Sequence, residues 1–241
     1  SNKAAAVLAA CEALLVAKLH ARSLGFVKMP IVIRIPFGGG IGAVEHHSES
    51  NEAYFAHTAG LRVVACSNPH DAHWMIQQAV ETDDPVVFYE PKRRYWDKGE
   101  VGDGPDGALG TARVLREGTD VTLLAYAPMV KTCLQAAQAA EEEGRSIEVV
   151  DLRSLSPLDE PAIIDSARKT GRVVVVHEAS TFLGMGAEIS ALITERAFYQ
   201  LEAPVLRVGG YNVPYPPSRL EEEFLPDLDR VLDAVDRSLA H

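Results

Sequence analysis

Two adjacent histidines, His46 and His47, lie in the stretch GAVEHHSES and follow the glycine cluster FGGGIG. The glycines lack a Cβ, so the backbone of this loop can approach a bound molecule closely. The pattern predicts a short helix that begins at Ser48 or Ser50, and a helix N-terminus favours the neutral form of a nearby imidazole. A neutral imidazole beside a ligand can exchange a proton at physiological pH. The sequence therefore predicts acid–base chemistry at His47, and a structural histidine that holds the loop is the alternative.

Two other kinds of site compete for this loop. The letters GGGIGA (38–43) match a dinucleotide fingerprint, but the next strand ends without a carboxylate and AVEHHSES is a poor helix start. A transition-metal site would need a tetrahedral ligand set, and no H-E-x-x-H motif or second Cys or Asp cluster completes one. Its candidate histidines are His46, His47, His57, His70 and His73. The sequence disfavours both alternatives.

Composition narrows the class of partner. The formal charge of −11 at pH 7 argues against nucleic acid or an anionic membrane surface. No apolar run reaches the roughly 20 residues that a membrane span needs. The three cysteines, Cys11, Cys66 and Cys133, are odd in number and far apart, which indicates a reducing compartment. The apolar run at 4–19 is interrupted by Glu12 and predicts a buried helix rather than a signal peptide.

Short apolar runs alternate with helical patterns, which predicts an α/β protein with largely parallel sheets covered by helices. Residues 97–110 are rich in Gly and Asp without an apolar period, so they predict a linker between domains 1–96 and 111–241. Before the linker, the predicted elements are helix 4–22, strand 31–36, helix 51–58, strand 61–67, helix 69–81 and strand 86–91. After it, the predicted strands are 121–127, 147–152, 173–178 and 205–209. The predicted helices there are 128–143, 160–169, 186–200 and 219–239.

Longer motifs follow the pattern of one known family. The resemblance is to the beta subunit of the thiamine-dependent 2-oxo acid dehydrogenases, and it covers nearly everything from about residue 12 onward. It is carried, in order, by MPIVIRIPFGGGIGAVEHHSESNEAYFAHTAGLRVVACSNPHDA, PVVFYEPKRRYW, GTDVTLLAYAPMV, IEVVDLRSLSPLD, GRVVVVHEA and GGYNVPYPP. Within the family, EPKRRYW and HHSES look most like the branched-chain enzyme, 3-methyl-2-oxobutanoate (2-oxoisovalerate) dehydrogenase. The pyruvate dehydrogenase beta subunit is the alternative.

The resemblance implies a fold, a reaction and partners. The fold is a partial thiamine pyrimidine-binding domain followed by a transketolase C-terminal domain. The reaction is decarboxylation of a 2-oxo acid, with acyl transfer to the lipoyl group of the dihydrolipoyl acyltransferase component. Thiamine diphosphate and Mg²⁺ are bound mostly by an alpha subunit, in an α₂β₂ heterotetramer that contains a second beta subunit. The implied location is the bacterial cytoplasm rather than the mitochondrial matrix.

The resemblance also assigns residues. The family's active-site histidine corresponds to His47, and His46 is a second candidate near the cofactor. The family's cofactor-activating glutamate and pyrimidine-pocket aromatic residues lie upstream of the helix predicted at 4–22 and have no counterpart here. This chain alone is therefore expected to be inactive, and a non-catalytic assembly or docking module is the alternative function. The family's monovalent-cation loop, a potassium-like site built mostly from backbone carbonyls, corresponds to Ile31, Val32, Ala79, Thr82 and Asp84.

Overall fold

The computed structural model describes residues 15–241, and within them two β-sheets are covered by helices. This architecture confirms the predicted α/β class. Residues 15–22 are helical, while the earlier part of the helix predicted over 4–22 lies outside the described residues, as does Cys11. The strands, in chain order, are β1 (Val32–Phe37), β2 (Arg62–Ala65), β3 (Val86–Pro91), β4 (Arg113–Arg116), β5 (Val121–Ala125), β6 (Ile147–Asp151), β7 (Ser154–Ser156), β8 (Val173–Ser180) and β9 (Leu206–Gly210). The α-helices are α1 (Val44–Ser48), α2 (Glu52–Ala56), α3 (Pro69–Glu81), α4 (Met129–Glu142), α5 (Glu160–Thr170), α6 (Met185–Ala197), α7 (Glu221–Phe224) and α8 (Leu228–Leu239).

The first sheet has the strand order β1-β3-β2-β7, and its first three strands are parallel. Helix α3 connects β2 to β3 and begins where its cap predicts. The Asn68 side chain accepts a hydrogen bond from the Asp71 N–H at 2.9 Å, and Pro69 occupies the first turn, where its missing N–H costs nothing. In β1 and β3, Phe37 and Pro91 are in register, so the segments that leave these strands emerge side by side.

The second sheet has the order β4-β6-β5-β8-β9, with β4 antiparallel at one edge and the other strands parallel. Strand β5 is buried along its whole length, as expected for a central strand covered by helices on both faces. Helices α4 and α8 pack on one face, while α5 and α6 pack on the other. Cys66 and Cys133 are buried free thiols. Among the described residues, no helix combines the length and apolar character that a membrane crossing requires.

The two sheets are physically joined. Strand β7 follows the second sheet's β6 in the chain, yet it pairs antiparallel with β2 of the first sheet. One hydrophobic cluster also extends across both sheets, because Val63 and Val87 of the first belong to the same buried group as Leu124 and Val150 of the second. The linker predicted at 97–110 therefore connects two halves that share a core.

Three short elements were not predicted, and one predicted helix is divided. Strands β4 and β7 and helix α1 have three to five residues each, too few for a periodic pattern to show. The single helix predicted over 219–239 is instead α7 and α8, with a break around Pro226. Because a proline disfavours the helical conformation of the preceding residue, Leu225 is extended at ψ 142°. Asp227 then caps α8 by accepting a hydrogen bond from the Arg230 N–H at 2.8 Å.

Candidate functional site

The glycine cluster forms a loop, Gly38–Gly42, between the carboxyl end of β1 and helix α1. It lies beside the segment Lys92–Arg94, which follows β3 and brings Arg93 against Gly40, because adjacent parallel strands deliver their following segments to the same edge. The close approach that Gly38 and Gly39 permit is to the chain's own second half. A Cβ on Gly39 would lie 2.0 Å from the Tyr215 hydroxyl, and one on Gly38 would lie 3.1 Å from a Glu178 carboxylate oxygen.

His46 and His47 lie in the last turn of the five-residue helix α1, which ends at Ser48. The prediction that a helix begins at Ser48 or Ser50, with His47 just before it, is therefore wrong. The helix dipole argument for a neutral imidazole no longer applies, because the following helix α2 begins only at Glu52. The physical reason is the loop geometry, which turns the chain into α1 before the histidines are reached.

Both histidines are exposed and line a cleft of about 510 Å³. Its walls combine apolar and charged side chains, namely Ile35, Pro36, Phe37, Val44, Glu45, His46, His47, Glu49, Asn51 and Lys92. His46 Nδ1 lies 3.0 Å from the Glu45 carboxylate, and the Lys92 ammonium donates a hydrogen bond to the carbonyl oxygen of His47. A basic side chain thus caps the carboxyl end of α1, where carbonyls lack partners within the helix. Burial lowers the pKa of Lys92.

Behind the loop, two buried carboxyl groups meet groups from the other half of the chain. Glu52 accepts a hydrogen bond from the Tyr126 hydroxyl at 2.5 Å. Glu178 accepts one from the Gly39 N–H and lies 3.4 Å from the Arg93 guanidinium. Burial raises the pKa of both carboxyl groups, while the Tyr126 hydrogen bond opposes the shift at Glu52 and the Arg93 charge opposes it at Glu178. The structure therefore brings buried carboxyl groups and their partners together between the two halves, and the sequence motifs did not predict this.

The other three candidate histidines, His57, His70 and His73, do not line this cleft. His70 pairs with Asp106 at 3.1 Å, His73 packs edge-to-face on Trp74, and His57 is exposed. Across residues 15–241, no group of three or more His, Cys, Asp or Glu side chains is arranged to hold a metal ion. The positions of these histidines therefore do not support a transition-metal site.

The residues of the predicted cation loop lie near the amino ends of β1 and β3, away from the histidine cleft. The Ile31 carbonyl accepts a hydrogen bond from the Val86 N–H at 2.8 Å, as part of the sheet. The Asp84 carboxylate pairs with Arg62 at 2.8 Å and His20 at 3.3 Å, and the Arg62 hydrogen bond lowers the pKa of Asp84. Three further residues of the loop are the half-buried Val32 and Thr82 and the buried Ala79. The potassium-like site stays a prediction.

A second cleft, of about 430 Å³, lies over the other face of the first sheet. Arg34 and Glu90 form an ion pair there at 2.5 Å, and the Tyr95 hydroxyl donates a hydrogen bond to Glu90 at 2.8 Å. Arg34, Glu90 and Tyr95 therefore pair with one another in this cleft.

Two domain families match the chain in the order that the sequence predicts. Residues 15–97 match the transketolase pyrimidine-binding domain, and residues 110–231 match the transketolase C-terminal domain. A solved split-gene transketolase, described as an inactive beta4 tetramer, shares the fold with a TM-score of 0.75 at 24% identity. That alignment covers 93% of this chain and 74% of the other. The fold and the site thus define a transketolase-like protein, as the fold prediction stated.

Curated relatives identify the branch of this class. The pyruvate dehydrogenase E1 component subunit beta of Leifsonia xyli is 58% identical, over 93% of this chain and 67% of its own length. The 3-methyl-2-oxobutanoate dehydrogenase subunit beta of Mycobacterium tuberculosis is 52% identical, over 92% and 65%. The 2-oxoisovalerate dehydrogenase subunit beta of Pseudomonas aeruginosa is 41% identical, over 92% and 67%. The chain belongs to the family of 2-oxo acid dehydrogenase beta subunits, which confirms the resemblance, and it spans about two thirds of the length of these relatives.

The sequence pattern indicated the histidine pair but not the side chains that contact the glycine loop before it. Glu178 and Tyr215 lie in the motifs GRVVVVHEA and GGYNVPYPP, which carried the family resemblance. Nothing in the spacing of those motifs connects them to a glycine loop more than 130 residues earlier; Glu178 and Gly39, for example, are 139 positions apart. Only the assembled fold shows that they meet.

Proposed function

We propose that the chain acts as the beta subunit of the decarboxylating component of a branched-chain 2-oxo acid dehydrogenase. The observation that carries the proposal is the cleft containing His47 and Lys92, at the carboxyl edge of the first sheet, in a chain of this family. The names of the relatives from M. tuberculosis and P. aeruginosa support a branched-chain substrate. The proposed partners are an alpha subunit, a second beta subunit and the dihydrolipoyl acyltransferase, in the cytoplasm of a bacterium.

Thiamine diphosphate fits this cleft in part. The volume of about 510 Å³ is within the range of small-molecule sites, and Ile35, Phe37 and Val44 offer an apolar wall for a flat ring. Glu45 and Glu49 line the same cleft, and their negative charges would repel a diphosphate. The proposal therefore places the aromatic part of the cofactor against this cleft and assigns the diphosphate and Mg²⁺ to the alpha subunit.

The bound cofactor would supply the electron sink that a decarboxylation needs. His47 would move a proton at an imidazole ring nitrogen, which is the task its exposure to the cleft allows. Lys92 would hold the backbone of His47 through the carbonyl hydrogen bond. His46, whose Nδ1 faces Glu45, would contribute mainly to the shape of α1.

The test compares His47→Ala with His46→Ala in the beta subunit assembled with its alpha subunit. We expect His47→Ala to lower turnover about 100-fold or more, the scale of a lost acid–base group, and His46→Ala to cost far less. Decarboxylation and lipoyl acylation are measured separately, and assembly is checked by native mass spectrometry. Equal and small losses of turnover in both variants would show that the two histidines have only a structural role.

Pyruvate is the second candidate substrate, because the Leifsonia relative at 58% identity carries a pyruvate dehydrogenase name. The ratio of kcat/KM for 3-methyl-2-oxobutanoate to that for pyruvate decides between the two. If the chain binds an alpha subunit but the assembled complex turns over neither substrate, the assembly or docking module becomes the better description.

A further inference from the structure

Four side chains of the second half grip the loop that leads to the histidines: Glu178, Tyr215, Ser218 and Glu221, here called the latch. We propose that the latch positions His47, with Glu178 and Glu221 as positioning residues on the Gly38–Gly42 loop. The second half of the chain would then set the geometry of the candidate catalytic group in the first half. The claim that the latch positions a catalytic group rests on the proposed function, whereas the claim that the latch fixes the Gly38–Gly42 loop does not.

Gly42 is held at both of its backbone polar groups. Its N–H donates a hydrogen bond to Glu221 Oε2 at 2.7 Å, and its carbonyl accepts one from the Ser218 hydroxyl at 2.6 Å. The other oxygen of Glu221 accepts a hydrogen bond from the Tyr215 hydroxyl at 2.6 Å. Glu221 is 4% exposed, so this carboxylate depends on these partners rather than on water. A backbone N–H bonded to a buried carboxylate is a strong constraint on the loop.

Gly39 is held by charge and by shape. Its N–H donates to Glu178, which is 3% exposed and lies 3.4 Å from the Arg93 guanidinium. The Tyr215 hydroxyl occupies the space where any side chain at Gly39 would begin, since a Cβ there would lie 2.0 Å away. The loop and the latch therefore fit one another closely, and a glycine is needed at this position for a steric reason.

The loop needs such support because the backbone that follows it, at the start of α1, is strained. Gly38, Gly40 and Gly42 have positive φ angles of 85°, 81° and 67°, which glycine adopts freely. Val44, at the start of α1, has φ 51°, a conformation that a β-branched residue rarely adopts. Strained backbone of this kind persists only where the surroundings determine it, and it often occurs at functional sites. The latch provides that determination two residues before the strained valine.

The latch acts on His47 over a short path. Four residues lie between Gly42 and His47, and the far end of this segment is held by the hydrogen bond from Lys92 to the His47 carbonyl. With both ends fixed, α1 has one placement relative to the cleft. Releasing the Gly42 end should leave the histidine present but variably placed, which lowers turnover more than it alters substrate binding.

Hydrogen exchange on the chain as it stands tests the grip without any cofactor. The perturbing variant is Glu221→Ala, and the matched control is Glu222→Ala, an exposed glutamate on the same helix α7. We expect amides of 38–48 to exchange about tenfold faster or more in Glu221→Ala, the scale set by one charge-assisted hydrogen bond. Glu221→Gln should restore most of the protection, because its amide oxygen can accept from Gly42 while its NH₂ faces Tyr215.

Amides of β5 report whether the whole chain has loosened. If the β5 amides also exchange faster in Glu221→Ala, the proposal is tested with Ser218→Ala instead. This variant removes an exposed hydroxyl and should speed exchange only in amides 38–48. The proposal is wrong if amides 38–48 of Glu221→Ala exchange as slowly as in the Glu222→Ala control while β5 stays protected. It is also wrong if amides 38–48 of Ser218→Ala exchange as slowly as in that control.

Activity measurements on the complex with the alpha subunit distinguish failure of the latch proposal from failure of the proposed function. Glu221→Ala should lower kcat with a smaller change in KM, and Glu221→Gln should recover it. If His47→Ala turns over like the unmodified subunit, the proposed role of His47 fails, and the exchange result decides the grip independently. If His47→Ala is impaired but Glu221→Ala has normal kcat, the latch does not position the histidine.

Discussion

Replacement of Arg153 by methionine should strongly destabilise the chain, because this side chain joins the two halves in a buried setting. Arg153 is 1% exposed, and its guanidinium lies 3.2 Å from the carboxylate of Asp71 on helix α3. It also donates a hydrogen bond to the Asp106 carbonyl in the linker at 2.9 Å. Methionine fills much of the same space, so the variant tests the charge and the hydrogen bonds more than the volume.

The magnitude follows from the charge that would be left behind. Removing one partner of a buried ion pair costs about 3–5 kcal/mol, because the other charge stays buried without compensation. Asp71 keeps one hydrogen bond, from the Asn68 side-chain amide at 2.8 Å, so the loss should lie near the lower end, about 3 kcal/mol. That is a large part of the roughly 5–15 kcal/mol that stabilises a typical domain.

The assay is urea unfolding, followed by circular dichroism and by tryptophan fluorescence. The matched control is Arg196→Met, which removes an exposed ion pair of 3.8 Å with Glu160 and should cost less than about 1 kcal/mol. The double variant Arg153→Met with Asp71→Asn should recover part of the loss, because the orphaned charge is gone. A loss below about 1 kcal/mol in Arg153→Met, or no recovery in the double variant, would refute the reasoning.

Three further predictions address other parts of the chain. Burial lowers the pKa of His177 from 6.5 to about 4, so between these pH values the unfolded chain binds the extra proton and stability should fall as the pH falls. The loss is on the order of 3 kcal/mol, and urea unfolding from pH 7 to pH 4 should show a steeper decline than in His177→Asn; parallel curves would contradict the assignment. Limited proteolysis should cut first within 97–110, and the two fragments should still co-elute on native size exclusion, because β7 pairs with β2 and the core is shared; fragments that separate would argue against that coupling. Potassium should raise the melting temperature relative to sodium at equal ionic strength if the predicted cation loop binds it, and equal melting temperatures would reject the site.

Local signals in the sequence were enough to predict most of the helices and strands. Helix α3 and strand β3 have the predicted bounds, 69–81 and 86–91. The helix start is encoded by Asn68 and Pro69, and the strand by a run of apolar residues between polar turns. Such signals act between neighbours in the chain, so they can be read without knowing the fold. The family was likewise readable, because its motifs are continuous stretches in a fixed order.

The surroundings of the histidines depended on contacts between distant segments. Placing His47 before a helix start was wrong, because α1 begins at Val44, whose strained backbone no propensity predicts. The glycines were expected to let the backbone approach a ligand, whereas in the structure Gly38, Gly39 and Gly42 are approached by the latch, from residues 178 to 221.

Sequence alone determined the α/β class and the family, since periodicity and motifs are properties of short stretches, and it made His47 the catalytic candidate, which stays a prediction. Tertiary structure alone decided that β7 completes the other half's sheet and that Arg153 and Asp71 form a buried pair. It also decided that Glu178 and Glu221 hold the glycine loop. The physical reason is that a buried charge or an unpaired strand edge requires a partner, but which distant segment supplies it depends on how the two sheets pack together.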